Sequence, residues 1–329
     1  MSDWYTVTKP EQQSGLTLPI DDLRTLIAPD EATIAYRLWK PVAPRRLLVL
    51  LHGVASNMTR WSELVARTAL RDSWDILRLD LRGMGQSAHR GRIGMAEWCA
   101  DLAAILTAEG YSRAVVAGHC LGANVALEFA ARYPEKAMGL VLIEPMPRQA
   151  LAGAMRRIVR LRPFLIALAG CVRALNAFGF YRRSIASLDL EGLDRETRAA
   201  IIAGGAAEAL LDKYASPLLD LRTTPTGAYL QALIAVTDRS PDLTTIGVPV
   251  FALLSSGSLF SDPLCTREAL APLLKCEIAQ LEARHWIPTE QPDAMREAIE
   301  DWMGRTFIAA GTGRGAGRRS ACPGKIPTR

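Results

Sequence analysis

A chain of 329 residues, 49% of them apolar, is long enough for one large α/β domain or two small ones around a sizeable core. Its formal charge of +5 comes from the last stretch, where Arg314, Arg318, Arg319, Lys325 and Arg329 follow Gly311 with no acid among them; the rest carries 34 basic and 34 acidic residues. A body this close to neutrality, without a recognisable binding motif, excludes a nucleic-acid partner. Six cysteines (Cys99, Cys120, Cys171, Cys265, Cys276 and Cys322), scattered without C-x-x-C or histidine spacing, exclude a metal site of zinc-finger type and a dense disulfide framework.

The segment Met1-Ser2-Asp3-Trp4 has neither a basic n-region nor an apolar h-region, which predicts no signal peptide and a cytoplasmic location. Residues 1–20 are polar and aperiodic and read as a loosely attached arm. Leu23–Pro29 and Thr33–Trp39 alternate like a hairpin. Arg46-Leu47-Leu48-Val49-Leu50-Leu51 is a continuous apolar run ending in His52-Gly53, the pattern of a strand buried on both faces. Thr59–Leu70 predicts an amphipathic helix with Trp61, Leu64 and Val65 inside. Trp74–Asp80 is the next strand, ending in the glycine-rich turn Asp80-Leu81-Arg82-Gly83-Met84-Gly85-Gln86-Ser87. Met95–Glu109 is a helix closed by Gly110. Ala114–Gly118 and Gly139–Pro145 are further buried strands, separated by a helix that stops before Pro134. Cys99 and Cys171 sit in apolar helical runs and read as buried small hydrophobes. Strands alternating with helices over residues 46–145 predict a doubly wound, mostly parallel α/β sheet.

From Met146 to Leu243 the pattern holds helices only. Leu151–Phe180 is apolar but studded with Arg156, Arg157, Arg160, Arg162 and Arg173, and its longest uncharged run, Pro163 to Val172, is too short to span a bilayer. Two readings remain: a helical cap whose arginines are simply solvated, and a basic amphipathic helix in peripheral contact with a membrane surface. Strands resume at Val248–Leu254 and Cys276–Leu281, followed by a last helix, Asp293–Phe307. The resulting division is an arm at 1–20, an α/β core at 21–145 and 244–308, a helical cap at 146–243, and a disordered basic tail at 309–329.

The chemistry centres on Gly118-His119-Cys120-Leu121-Gly122, where an apolar strand meets a helix. The spacing is that of a nucleophile elbow, G-x-S-x-G, with cysteine at the nucleophile position. Small flanking residues let strand and helix approach around a strained backbone, and the side chain projects at a helix N-terminus that favours an anion. A thiol placed there gains nucleophilicity from the field that also holds an oxyanion. Cys120, Asp262 and His285 follow in the order nucleophile, acid, base.

Four motifs carry a resemblance to α/β-hydrolase fold proteins over roughly residues 30–308: His52-Gly53, Arg82-Gly83-x-Gly85-x-Ser87, Gly118-His119-Cys120-Leu121-Gly122, and His285-Trp286-x-Pro288-x-Glu290-x-Pro292. The stretch from Arg82 through Arg90-Gly91 and Glu97 to Asp101 is similar to lysophospholipase and monoacylglycerol lipase-like members. The resemblance implies Cys120 as nucleophile, His285 as general base, and an oxyanion hole from the N–H groups of Val54 and Leu121. It implies a structural His52 in the oxyanion loop and a packed His119 at the elbow's variable position, while His89 reads as a surface residue. The family's usual acid lies three residues after a glycine, which from Gly257 lands on Phe260; Asp262, two residues later, is the first choice, and Glu144 at a strand end is the alternative. On that ranking Asp262→Asn lowers turnover more than Glu144→Gln.

Cysteine nucleophiles in this fold occur in dienelactone hydrolase-like proteins and polyhydroxyalkanoate synthases, which implies covalent acyl-thioester chemistry. The expected activity is therefore hydrolysis of an ester, lactone or thioester with a hydrophobic acyl or alkyl chain. An acyltransferase sharing the acyl-Cys120 intermediate and a non-catalytic hydrophobic-ligand-binding protein are the alternatives. No cofactor is expected, since Gly83-x-Gly85 lacks the third glycine and acidic partner of a dinucleotide site.

Overall fold

A computed structural model describes residues 6–8, 20–41, 46–203, 212–257 and 259–308. Its nine strands are β1 (Thr6–Thr8), β2 (Ile20–Ile27), β3 (Thr33–Lys40), β4 (Arg46–Leu51), β5 (Trp74–Leu79), β6 (Ala114–His119), β7 (Ala137–Ile143), β8 (Val250–Ser255) and β9 (Cys276–Leu281). They form one sheet in the order β1-β2-β3-β5-β4-β6-β7-β8-β9. The pairs β1/β2, β2/β3 and β3/β5 are antiparallel, and every later pair is parallel. The chain thus winds outward from β4 in both directions. This creates a switch point at the carboxyl ends of β4 and β6, the place where open α/β sheets bind ligands.

The apolar runs of β4, β6, β7 and β8 follow from burial on both faces. Leu47, Val49 and Leu51 of β4 belong to one core, with Trp98, Leu102 and Leu106 of α2 (Met95–Ala108) and Phe129 of α3 (Leu121–Arg132). Leu48 and Leu50 point the other way, against Trp61, Leu64, Ile299 and Trp302. Each fully buried leucine contributes roughly 1.5–3 kcal/mol relative to exposure, so a one-residue register slip in β4 would exchange the two cores and is strongly excluded.

Several expectations need correction. Part of the predicted arm is structured, since Thr6–Thr8 pairs with Thr25–Ile27 as an added antiparallel strand. The predicted helix Thr59–Leu70 is three short pieces: a 3-10 turn at Met58–Trp61, α1 (Ser62–Arg67), and a second 3-10 turn at Ala69–Asp72. Side-chain caps explain the breaks, because Asn57 accepts from the Thr59 N–H and Thr68 from the Leu70 N–H. Cys99 is buried as read, but Cys171 is exposed. The basic tail lies outside the described residues.

Between β7 and β8 the described residues hold helices and no strand: α4 (Gly153–Ala177), α5 (Leu190–Ile202), α6 (Pro217–Thr223) and α7 (Thr226–Val236). None of the helices is long and apolar enough to cross a membrane among the described residues. After β8 come α8 (Pro263–Leu270), the short α9 (Ile287–Glu290) and α10 (Pro292–Met303).

The glycine-rich turn after β5 is built on ionic contacts. The buried Asp80 carboxylate accepts from the Met58 N–H at 2.6 Å and the Gln86 N–H at 2.7 Å. Burial raises its pKa to about 6 against the pull of these bonds. Arg82 grips Asp101 of α2 with two hydrogen bonds of 2.9 and 2.6 Å and also contacts Asp30. The motif linking Arg82 to Asp101 is therefore structural: it ties the turn to the first flanking helix.

Candidate active site

Cys120 sits between β6 and α3 at φ 54° and ψ −115°, a conformation that costs a non-glycine residue about 1–3 kcal/mol. The two elbow glycines are sterically required. A Cβ on Gly118 would lie 2.2 Å from the Gly122 carbonyl, and one on Gly122 would lie 2.3 Å from the Leu51 carbonyl oxygen at the end of β4. The elbow is thereby pressed against the end of β4 and the loop that follows it. A Cβ on Gly53 would stand 3.3 Å from the Cys120 Cβ, so the loop His52-Gly53-Val54 runs directly beside the thiol. Leu121 and Gly122 occupy the first turn of α3, where N–H groups have no intrahelical acceptor.

His285 lies on the loop between β9 and α9, and its side chain is buried. Its Nδ1 is 3.0 Å from the Glu144 Oε2, and the Cys120 side chain stands beside the ring and favours its charged form. A carboxylate only accepts, so Nδ1–H donates to Glu144 and Nε2 is left to the thiol. Burial opposes charge on this imidazole, but the bonds to Cys120 and Glu144 outweigh it and push its pKa up to about 10.

Glu144 follows β7 directly, at φ 51°, and its second oxygen accepts from the Ser255 backbone N–H at the end of β8. The structure thus corrects the first choice of acid. Asp262 does not meet His285: it caps α8, accepting from the Cys265 N–H at 2.9 Å. That backbone bond holds its pKa below the ordinary carboxylate value. The physical reason was legible, since aspartate before a proline at the first helical position is a capping arrangement. Phe260, at the offset where the acid was sought, instead sets its ring edge-on to His285 at 4.8 Å between centroids.

Two further residues hold the histidine loop, and His52 braces the loop after β4. Glu290 accepts from the backbone N–H groups of Arg284, His285 and Trp286 at 2.9–3.2 Å. His119 places Nε2 3.1 Å from the His285 carbonyl oxygen, so this nitrogen carries the hydrogen. Burial, reinforced by the neighbouring His285 charge, lowers the His119 pKa well below the usual value and keeps its ring neutral. The buried His52 accepts from the Leu81 N–H at 3.0 Å, and its Nδ1 meets the Gly53 carbonyl at 2.8 Å. Burial pushes its pKa down to about 4, so it too is a neutral brace. His89 is half-buried rather than on the surface, 4.0 Å from the Asp30 carboxylate. Of these, Glu290 could have been singled out from the motif that contains it, whereas nothing in the sequence announces the aromatic contact of Phe260.

Above the thiol is a cavity of roughly 180 Å³ whose floor includes Gly53, Val54, Cys120 and His285. Its walls come mainly from the inserted helices, with Met155 and Ile158 of α4, Leu190 and Leu193 of α5, Leu219 of α6 and Tyr229 of α7. One buried polar knot fastens this roof. Arg60 bonds Asp194 of α5 at 2.6 Å and the Thr289 hydroxyl at 2.5 Å, while Asp194 also accepts from Tyr214 at 2.7 Å and from Thr289 at 3.0 Å.

The alpha/beta hydrolase fold profile matches residues 46–165. Among curated relatives, a serine hydrolase-like protein of Danio rerio is 32% identical over 111 residues, 33% of each chain. The chain spans less than half the length of the first curated relatives it matches. Two solved structures correspond over nearly their full length. A hydrolase from Pseudomonas aeruginosa aligns at TM-score 0.63 and 22% identity, over 86% of this chain and 98% of that one. The enol-lactonase from Burkholderia xenovorans aligns at TM-score 0.60 and 18% identity, over 83% and 96%. Taken with a doubly wound sheet that delivers a strained cysteine, a histidine loop and an acidic strand end to one edge, these matches lead to one conclusion: the chain has the α/β-hydrolase fold.

Proposed function

We propose that this chain is a cysteine-dependent hydrolase of an ester, lactone or thioester bearing a hydrophobic acyl or alkyl chain. The observation that carries the reading is the continuous line from Glu144 through His285 to the thiol of Cys120 at a strained elbow. The sequence similarity to a serine hydrolase-like protein and the structural likeness to an enol-lactonase support the same reaction class. The apolar walls supplied by α4 to α7 support an apolar chain in the substrate.

In this reading the Cys120 thiol passes its proton to His285 Nε2, the thiolate sulfur attacks the substrate carbonyl carbon, and the carbonyl electron pair moves to oxygen. The N–H groups of Leu121 and Val54 receive that oxyanion. Collapse breaks the bond to the leaving group, which takes its proton from His285 Nε2, and leaves an acyl thioester on Cys120. Water then gives a proton to His285 and attacks the thioester; the acid departs and the thiolate is restored. Glu144 fixes the imidazole with Nδ1–H outward and stabilises its positive charge, the role of the acid in such triads.

Hydrolysis of p-nitrophenyl esters of increasing chain length tests the proposal. Glu144→Gln lowers kcat/KM by on the order of 10²–10⁴, whereas Asp262→Asn stays within about twofold, as a surface cap should. The reverse ranking would overturn the assignment of the acid. Absence of turnover at every chain length in folded protein would overturn the activity.

A further inference from the structure

α4 presents apolar side chains on two faces. One face looks inward, where Met155 and Ile158 line the cavity. The other carries Leu161, Phe164, Leu168, Cys171, Leu175 and Phe178 at intervals of three and four residues, a single stripe along the helix continued by the residue after it. All six are exposed, Phe164 at 65% and Phe178 at 80%. A stripe of this extent left in water marks an interaction surface.

Charge identifies what it meets. From Pro145 to Leu188 the chain has no acidic residue and eight arginines. Arg156, Arg157 and Arg160 lie exposed on the first turns of α4, and Arg182 and Arg183 lie exposed just beyond its end. Arg162 pairs with Asp238 at 3.0 Å, but Arg157 and Arg160 have no carboxylate at ion-pair distance among the described residues. A second copy of the chain on this face would set arginine against arginine. An anionic phospholipid surface satisfies both features at once, taking the apolar stripe at the acyl boundary and the arginines at the headgroups.

We propose that the outer face of α4 docks the protein on anionic bilayers, lying in the interface without crossing it. The inference does not rest on the catalytic reading, although its geometry sets the cavity roof against the lipid, because the same helix forms both.

Co-sedimentation of the full chain with phosphatidylcholine vesicles, with and without an equal part of phosphatidylglycerol, tests it. The chain pellets with the anionic vesicles, at least tenfold more than with the neutral ones, and raised salt weakens the partition. Phe164→Ser combined with Phe178→Ser, and separately Arg157→Gln combined with Arg160→Gln, each lower the partition by on the order of tenfold or more, with far-UV circular dichroism unchanged. No binding to anionic vesicles would overturn the proposal. Binding that both pairs of substitutions leave intact would overturn it too, by assigning the affinity to another segment such as the basic tail. A dimer in size-exclusion chromatography that the phenylalanine pair dissolves, without vesicle binding, would assign the face to a second copy instead.

Discussion

At Cys120 a thiol occupies the position that the elbow pattern gives to serine, and its nearest partners are arranged to support charge. The imidazole of His285 is bracketed by the thiol and by Glu144, and the two bonds hold its pKa up near 10 in spite of complete burial. Glu144→Gln replaces a carboxylate by a neutral amide, so the imidazolium loses one of the partners that favour its charge and the pKa falls. NMR of ¹⁵N-labelled histidine should show the His285 titration moving down by a unit or more, on the order of one charge-assisted bond; an unmoved titration would remove Glu144 from its role. The elbow around Cys120 and the motif that carries His285 were legible in the sequence because each is a pattern within a few residues. Which carboxylate meets His285 was not legible, because it depends on which of two strand ends reaches the histidine across the sheet. Glu144 and Asp262 lie on loops of different strands, and only the fold shows that β7 ends beside the His285 loop while Asp262 turns away to start α8.

At the scale of elements, the site is held by local clamps. Glu290, from α9, collects three consecutive backbone N–H groups of the histidine loop. Glu290→Ala leaves those donors unpaired and loosens the loop that carries His285. We expect kcat for ester hydrolysis to fall about tenfold or more while KM changes little, since a misplaced base costs rate more than binding; Glu290→Gln should recover part of the loss, and an unaffected kcat would contradict the clamp. The knot of Arg60, Asp194, Tyr214 and Thr289 fastens α5 to the core in the same way. Asp194→Ala strands a buried guanidinium and should cost about 3–5 kcal/mol of stability, read from urea unfolding. The elements themselves were largely legible, because β4, β6, β7 and β8 are mainly apolar runs and α2 and α3 end at ordinary stop signals. The exceptions have local causes: two capping side chains divided the helix after β4, and three residues of the polar arm joined the sheet edge, where backbone pairing needs little apolar pattern.

For the whole molecule, two histidines buried as neutral rings set the response to acid. His52 is held down to about 4 and His119 well below its usual value, both chiefly by burial. Each therefore takes up a proton on unfolding below about pH 6.5. The stability they contribute is fully present above that value and is lost as pH falls through the folded-state values. Folded Asp80, raised to about 6, takes up a proton over the same range and opposes this loss, so the histidine contribution is read by difference: the stability cost of His52→Gln should shrink between pH 7 and 4 with a slope of up to about one proton, and a pH-independent cost would mean that the ring is not held neutral. The insertion between β7 and β8 places an apolar roof over the floor that holds Cys120 and His285. Whether that floor is reactive rests on Cys120. Intact-mass and peptide mass spectrometry after rapid mixing with an acyl ester, quenched in acid, tests it most directly. The account predicts one acyl group on the peptide containing Cys120, absent in Cys120→Ala and accumulating when His285→Ala slows its release. An unmodified Cys120 across several chain lengths, or the acyl group on another cysteine with hydrolysis intact, would contradict it.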